Sequence, residues 1–331
     1  MKTQEAQANE TLKDYAHLAI QKHFKKSIKH ESDVLKGSDP EPLHQMRVGM
    51  RRLRTALKVF EPALDLPEAV SDRQIKKIAQ CLGAVRDLDV LEIALKESYR
   101  PHLKGKEQKK LDQVVESLQK QRDHQFSRIE KLFESQQYRK FKQSFKGWLE
   151  QPSYRAIAPL PLLQVLPDLL LPLISNLLLH PGWLFSTWVE SGEIKLPTSV
   201  DLEHINQQLD EQAEVLHDLR KQMKRVRYQT EFFTDFYEPT FMLRVREFQA
   251  VQEILGELQD AAVLNDFLTS ELQLNWQEQL PTLAEQLEEN RIRAWANWQP
   301  IQRQYLNPDF QEQLRQLVAT PLKPSLQPVN H

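Results

Sequence analysis

From Leu43 to Phe60 the chain reads LHQMRVGMRRLRTALKVF, with apolar residues at Leu43, Met46, Met50, Leu53, Leu57 and Phe60. Spacings of three and four place these on one stripe of an α-helix. At 100° per residue, His44, Arg47, Arg51, Arg54 and Lys58 fall in an adjoining sector about 80° wide. The helix thus has an apolar stripe edged by a cationic one, and a cationic stripe so close to the buried face lines a groove or cavity. Helical periodicity of the same kind predicts helices over about 7–36, 43–61, 70–98, 105–150, 166–190, 201–237, 241–258 and 260–298. No strand-period alternation competes, Gly is scarce at 8, and the 19 Pro gather between the helical stretches. That distribution predicts an all-α protein.

The same wheel is drawn twice. LHDLRKQMKRVRYQTEFF begins 173 residues after the first segment, and LGELQDAAVL follows LGAVRDLDVL at the same offset. With no gap between residues 43 and 95, fourteen positions equal their counterparts, among them His44, Arg47, Arg52, Arg54, Gly83 and Asp87. The second copy sets His217, Arg220, Lys224 and Arg227 beside Leu216, Leu219, Met223, Val226 and Phe233. A repeat reports what is required twice; here that is a His, a row of Arg and a Gly followed by Asp. The expected organisation is a first helical half over 1–150, a Pro-rich apolar connection over 151–200, a second half over 201–300, and a C-terminal helix with a disordered tail over 301–331.

Charge changes the picture. A solvated basic face usually alternates with Glu or Asp at i,i+4, each pair contributing about 0.2–0.5 kcal/mol. Between Glu41 and Glu61 there is no acid, so Arg47, Arg51, Arg52, Arg54 and Lys58 repel one another unless something outside the helix neutralises them. In the second copy Asp218 and Glu231 only flank the cations. One such cluster would read as a solvated face, whereas a repulsion tolerated twice points to an external anion. Successive turns rise 5.4 Å, so each stripe is a ladder of donors. Arg grips two oxygens of one phosphate and Lys acts as a point charge, and a linear phosphate polymer offers such oxygens at every unit.

Further candidates are weaker. Tyr228, beside Arg227, is a potential phosphate donor. Lys22 and Lys26 share a face of the first helix with Lys29. Arg139 shares a sector of the helix expected over 105–150 with Arg128, Lys131, Lys142 and Lys146. Lys22, Lys26 and Arg139 are secondary candidates for the same anion. His44 and His217 open the two stripes: nearby cations should lower their pKa, and bound phosphate should favour the charged imidazole. Neither His has further ligands at metal spacing, so no metal or cofactor is expected. Asp87 and Asp260 read as structural carboxylates that orient an Arg from a neighbouring helix. The alternative, a carboxylate pair holding Mg²⁺ on phosphate, loses a member in the second copy, where Ala262 replaces Asp89.

The patterns H-x-x-R-x-x-x-R/K-R-x-R and L-G-x-x-R/Q-D, each present twice, resemble the CHAD family, the conserved-histidine α-helical domain, over most of the chain. The resemblance implies a bundle of two pseudo-symmetric helical halves around a basic central cavity that binds inorganic polyphosphate. By motif position, His44, Arg47, Arg51, Arg52 and Arg54 match in the first half, and His217, Arg220, Lys224, Arg225 and Arg227 in the second. The second copy departs at Gln259, where the first has Arg86, and at Ala262.

Composition adds limits. A net charge of −2 does not itself signal a polyanion partner; the segregation of the cations does. The single cysteine, Cys81, reads as a buried thiol in a reducing cytosol. The N-terminus lacks the pattern of a secretory or transit signal. The run from Leu160 to Leu179 is interrupted by Pro161, Pro167, Pro172 and Asp168, which favours a buried helix beginning near Pro167 over a membrane span. The expected function is non-catalytic polyphosphate binding, targeting a cytoplasmic protein to polyphosphate granules. The alternatives are an enzyme acting on polyphosphate or triphosphate, and an adaptor for nucleic acid or acidic protein. The E-x-E-x-K strand signature of the triphosphatases that can be fused to CHAD domains is represented only by Glu190-Ser-Gly-Glu193-Ile-Lys195, at the wrong spacing. The stripe from His44 to Lys58 has none of the aromatic platforms on which single-stranded nucleic acid stacks. Neither nucleic acid nor membrane is expected as a partner.

Overall fold

Thr11 caps the first helix by accepting from the backbone of Asp14, and Leu12, Ala16, Ile20 and Phe24 then recur at helical spacing on its buried face. The computed structural model describes residues 10–37, 39–196, 202–273 and 275–322. The protein is all-α, with two small antiparallel strand pairs among the described residues. It divides into two units, one built on the chain up to Val165 and the other on the chain from Leu166.

The first unit holds α1 (Leu12–Lys29), α2 (Pro40–Val59), α3 (Asp72–Ile93), α4 (Gly105–Glu134) and α5 (Gln136–Glu150). Asp39 caps α2 through the Glu41 amide at 2.8 Å, with Pro40 at the first helical position, where its missing N–H costs nothing. α1 and α2 pack backbone to backbone at Gly49, where a Cβ would stand 2.8 Å from the backbone of Ser27, so no larger residue fits without parting the helices. α5 completes the core: Phe145 stacks on Phe24 at 4.4 Å, and the Trp148 indole donates to the Asp65 carbonyl at 3.0 Å. That contact anchors the short pairing of β1 (Leu64–Asp65) with β2 (Ser153–Tyr154).

α6 (Leu162–Leu178) leads into the second unit, which continues with β3 (Trp188–Glu190), β4 (Glu193–Lys195), α7 (Leu202–Glu211), α8 (Ala213–Thr230), α9 (Pro239–Leu272), α10 (Pro281–Leu306) and α11 (Pro308–Ala319). Its core includes Trp183, stacked on Tyr305 at 4.1 Å and beside Trp298 at 5.2 Å. The Gln302 amide donates to the Trp183 and Phe185 carbonyls at 2.9 and 2.6 Å, satisfying two acceptors at the short turn Pro181–Leu184.

Several expectations are corrected. The helix expected over 105–150 is two, because Ser135 leaves the helical conformation and caps α5 through the Tyr138 amide at 3.1 Å. Conversely, α9 runs unbroken past residue 259 to Leu272, where Gln273, with a φ of 72°, breaks the helix. The stretch expected over 166–190 begins at Leu162 and gives way after Leu178 to a turn and the β3–β4 hairpin, although no strand was expected. Pro167 and Pro172 lie inside α6 and Pro300 inside α10, not between helices. The segment Leu162–Leu184 is long and apolar enough to cross a membrane by length and composition, and Leu166, Leu170, Ile174 and Leu177 within it are buried. Of the tail expected to be disordered, residues 323–331 lie outside the described residues, and Leu322 hydrogen-bonds the Phe236 carbonyl at 2.8 Å.

Candidate functional site

In the first unit α2 runs antiparallel to α3, since Arg47 meets Gly83 while Arg54 meets Asp72. The cationic edge of α2 therefore lies along the neighbouring helix. Arg47 rests its guanidinium over Gly83, whose absent Cβ would stand 3.2 Å from Nη1, and donates through Nη2 to Asp87 at 3.3 Å. His44, one turn earlier, has Arg86, Arg51 and Arg47 as its cationic neighbours. Its pKa falls below the usual histidine value through partial burial first and then these cations, Arg86 foremost, while Glu41 opposes the shift.

The outer rungs are neutralised from within the unit. Arg54 forks onto Asp72, Nε to Oδ1 at 2.6 Å and Nη2 to Oδ2 at 3.1 Å, which holds that carboxyl below the usual range. Lys58 pairs with Glu61. The repulsion expected of an acid-free stripe is thus relieved at Arg47 and Arg54 by carboxylates of α3, and at Lys58 by Glu61 of the turn that follows α2, not solely by an external anion. Arg52 looks the other way, toward α1, where it reinforces the effect of burial that pushes His23 down to about 4.

The second unit repeats the inner arrangement. Arg220 lies over Gly256, with Nε and Nη2 3.5 Å from the position of a Cβ, and its Nη2 is 3.9 Å from Asp260. His217 is again lowered, by burial first and then Lys221 and Arg220; Gln259, standing where the first unit has Arg86, hydrogen-bonds it and acts in the opposite direction. Outer rungs differ. Arg227 reaches Glu231, just past the end of α8, at 2.8 Å and Gln252 of α9 at 3.3 Å. Tyr228 is buried, with the Arg227 guanidinium 5.2 Å over its ring, so its ring belongs to the packing beneath the stripe. Lys224 is half-buried and Arg225 exposed.

The remaining candidates scatter. Lys22 is exposed and Lys26 half-buried on α1. Arg139 is exposed on α5, separated by the Ser135 break from the Arg128 and Lys131 of α4 with which it was expected to share a face, and Lys142 is bound to Glu31 at 2.7 Å. Asp89 is 4% exposed and paired with Arg122 at 2.6 Å, while its counterpart Ala262 lines a small pocket beside His217, Gln259 and Arg291. Glu190 and Glu193 face each other across the β3–β4 turn, and Lys195 is bound to Glu193. Cys81 is half-buried, its thiol pushed up by burial. No group of three or more His, Cys, Asp or Glu among the described residues is arranged to hold a metal. Arg86 as the neighbour of His44 and Asp72 as the partner of Arg54 lie outside the motif reading, since neither has a counterpart of its own type at the repeat offset to flag it.

The CHAD domain family model matches residues 18–269. The crystal structure of the CHAD domain from the plant Ricinus communis is similar at 25% identity and a TM-score of 0.54, covering 97% of this chain and 96% of that one. PptA from Streptomyces chartreusis shares the fold at 15% identity and a TM-score of 0.55, covering 87% of this chain and 100% of its own. No curated protein matches.

Proposed function

This chain belongs to the CHAD domain family, and from that premise we propose that it binds inorganic polyphosphate without cleaving it. The observation that carries the reading is the twice-built group of a depressed His beside an Arg pinned on a neighbouring helix, His44 with Arg47 and His217 with Arg220. A pinned guanidinium loses little freedom on gripping a phosphate, so its fork is organised before the ligand arrives. Arg51 and Lys224 extend each group by a turn; Arg54 and Arg227 join by exchanging a carboxylate for phosphate. Binding charges the two His, because a polyanion raises a pKa that neighbouring cations had lowered.

The protein acts in the cytoplasm, at polyphosphate granules, and has no use for nucleic acid or membrane. Catalysis is the second reading, and the β3–β4 hairpin bears on it: Glu193 and Lys195 share one strand, but Glu190 sits on the other and Lys195 is already bound to Glu193. Incubation with long-chain polyphosphate separates the two. Retention with chain length unchanged is expected; chain shortening means an enzyme, and a result of neither retention nor shortening refutes both. Single-stranded DNA at equal phosphate concentration should fail to compete.

A further inference from the structure

Gly83 lies inside the 22-residue α3 and Gly256 inside the 34-residue α9. Both are buried and neither has a positive φ, so the backbone does not ask for glycine at either place. Glycine in a helix interior weakens the helix relative to alanine. A long helix that keeps one gains something from the missing methyl. Around a Cβ placed at Gly83 the only described neighbours within 4 Å, beyond its own stretch of helix, are Nη1 and Cζ of Arg47, at 3.2 and 3.8 Å. At Gly256 the three nearest atoms all belong to Arg220: Nε and Nη2 at 3.5 Å and Cζ at 3.9 Å.

We infer that Gly83 and Gly256 are positioning residues of the anion site, each a seat that lets the arginine of the facing helix lie flat. One turn on from each glycine stands the carboxylate that steadies the arginine, Asp87 or Asp260. Both carboxylates are largely exposed, at 71% and 70%, so alone they fix the guanidinium weakly. The seat does what the carboxylate cannot: it sets the height of the fork above the helix. A methyl at Gly83 must lift Arg47 by a few tenths of an ångström, whereas one at Gly256 only touches Arg220. The inference rests on the polyphosphate reading and adds to it the residues that set the geometry of the two arginines.

The test is Gly83→Ala, Gly256→Ala and the pair, each made in the natural protein and in an Arg47→Ala, Arg220→Ala background. Polyphosphate affinity and the melting temperature are both measured. Doubly substituted protein should bind about three- to tenfold more weakly, with Gly83→Ala the larger contributor. The melting temperature should rise by about 1–3 °C, since the helices gain propensity. In the background without the arginines, the alanines should leave affinity unchanged, because the glycines act only through them. Unchanged affinity in the natural protein, a penalty that persists without the arginines, or a fall in melting temperature would each overturn the inference while the functional reading stood. Natural protein that retains no polyphosphate would overturn the reading and the inference together.

Discussion

In the first unit Arg54 closes a two-pronged bond on Asp72 of the next helix; in the second, Arg227 at the same place in the repeat reaches Glu231 just past the end of its helix and Gln252 of α9. Further in, the units agree: a His, an Arg three residues on, a glycine beneath the guanidinium and an aspartate one turn beyond it. The difference teaches that the inner group is one arrangement built twice, while the outer rungs need only some carboxylate to balance them. Surroundings diverge too. Asp89 and Arg122 form a buried pair in the first unit, where the second has Ala262 and a small pocket by His217.

The largest effect expected is on the ladders themselves. Replacing Arg51, Arg54, Lys224 and Arg227 together by Ala should weaken polyphosphate binding at least a hundredfold and flatten its salt dependence by about 3 units of log–log slope, with helical content intact. Made separately, the Arg51, Arg54 pair and the Lys224, Arg227 pair should contribute similarly; a loss confined to one pair would break the equivalence of the units.

Next comes Asp89→Ala, which gives the first unit the second unit's residue. Asp89 is 4% and Arg122 16% exposed, and breaking a buried pair leaves one charge unbalanced. Chemical denaturation should report a loss of about 3 kcal/mol. A loss near zero would mean that the first unit does not depend on the pair, just as the second manages without one.

A slightly smaller effect follows from His23, which faces Arg52 in the first unit and is pushed down to about 4. The unfolded chain takes up this proton near its ordinary value of 6.5. Between these pH values the unfolded state binds more protons, so stability is full above 6.5 and falls as pH drops toward 4, by about 2–3 kcal/mol at most. His23→Gln should flatten that part of the pH profile, and an unchanged profile would place the acid sensitivity elsewhere.

The smallest effect is a titration shift. Gln259→Arg restores to the second unit the cation that stands beside His44 in the first. Removing the hydrogen bond and adding a charge should lower the His217 pKa, read by NMR. Polyphosphate should raise the pKa of both His, so that affinity increases as pH falls.

The repeat makes the inner group legible in the sequence, because His44, Arg47, Gly83 and Asp87 recur as a set at one offset. It could not show that the glycine serves the arginine, since that requires knowing that α2 and α3 run antiparallel. Nor could it show that Asp72 serves Arg54, because the partner lies 18 positions away across a turn. Helix boundaries failed where side chains decide them: Ser135 as a cap divides one apparent helix, and nothing local at residue 259 stops α9. The prolines of α6 misled for a similar reason. Tertiary burial of Leu166, Leu170 and Ile174 outweighs the backbone bonds that Pro167 and Pro172 remove.

Titrating the natural protein with long-chain polyphosphate across a series of salt concentrations tests the central claim most directly. Two arginine-rich ladders making about six phosphate contacts predict affinity that falls linearly on a log–log plot with a slope of about −4. Affinity indifferent to salt, or no binding at low salt, would contradict the account.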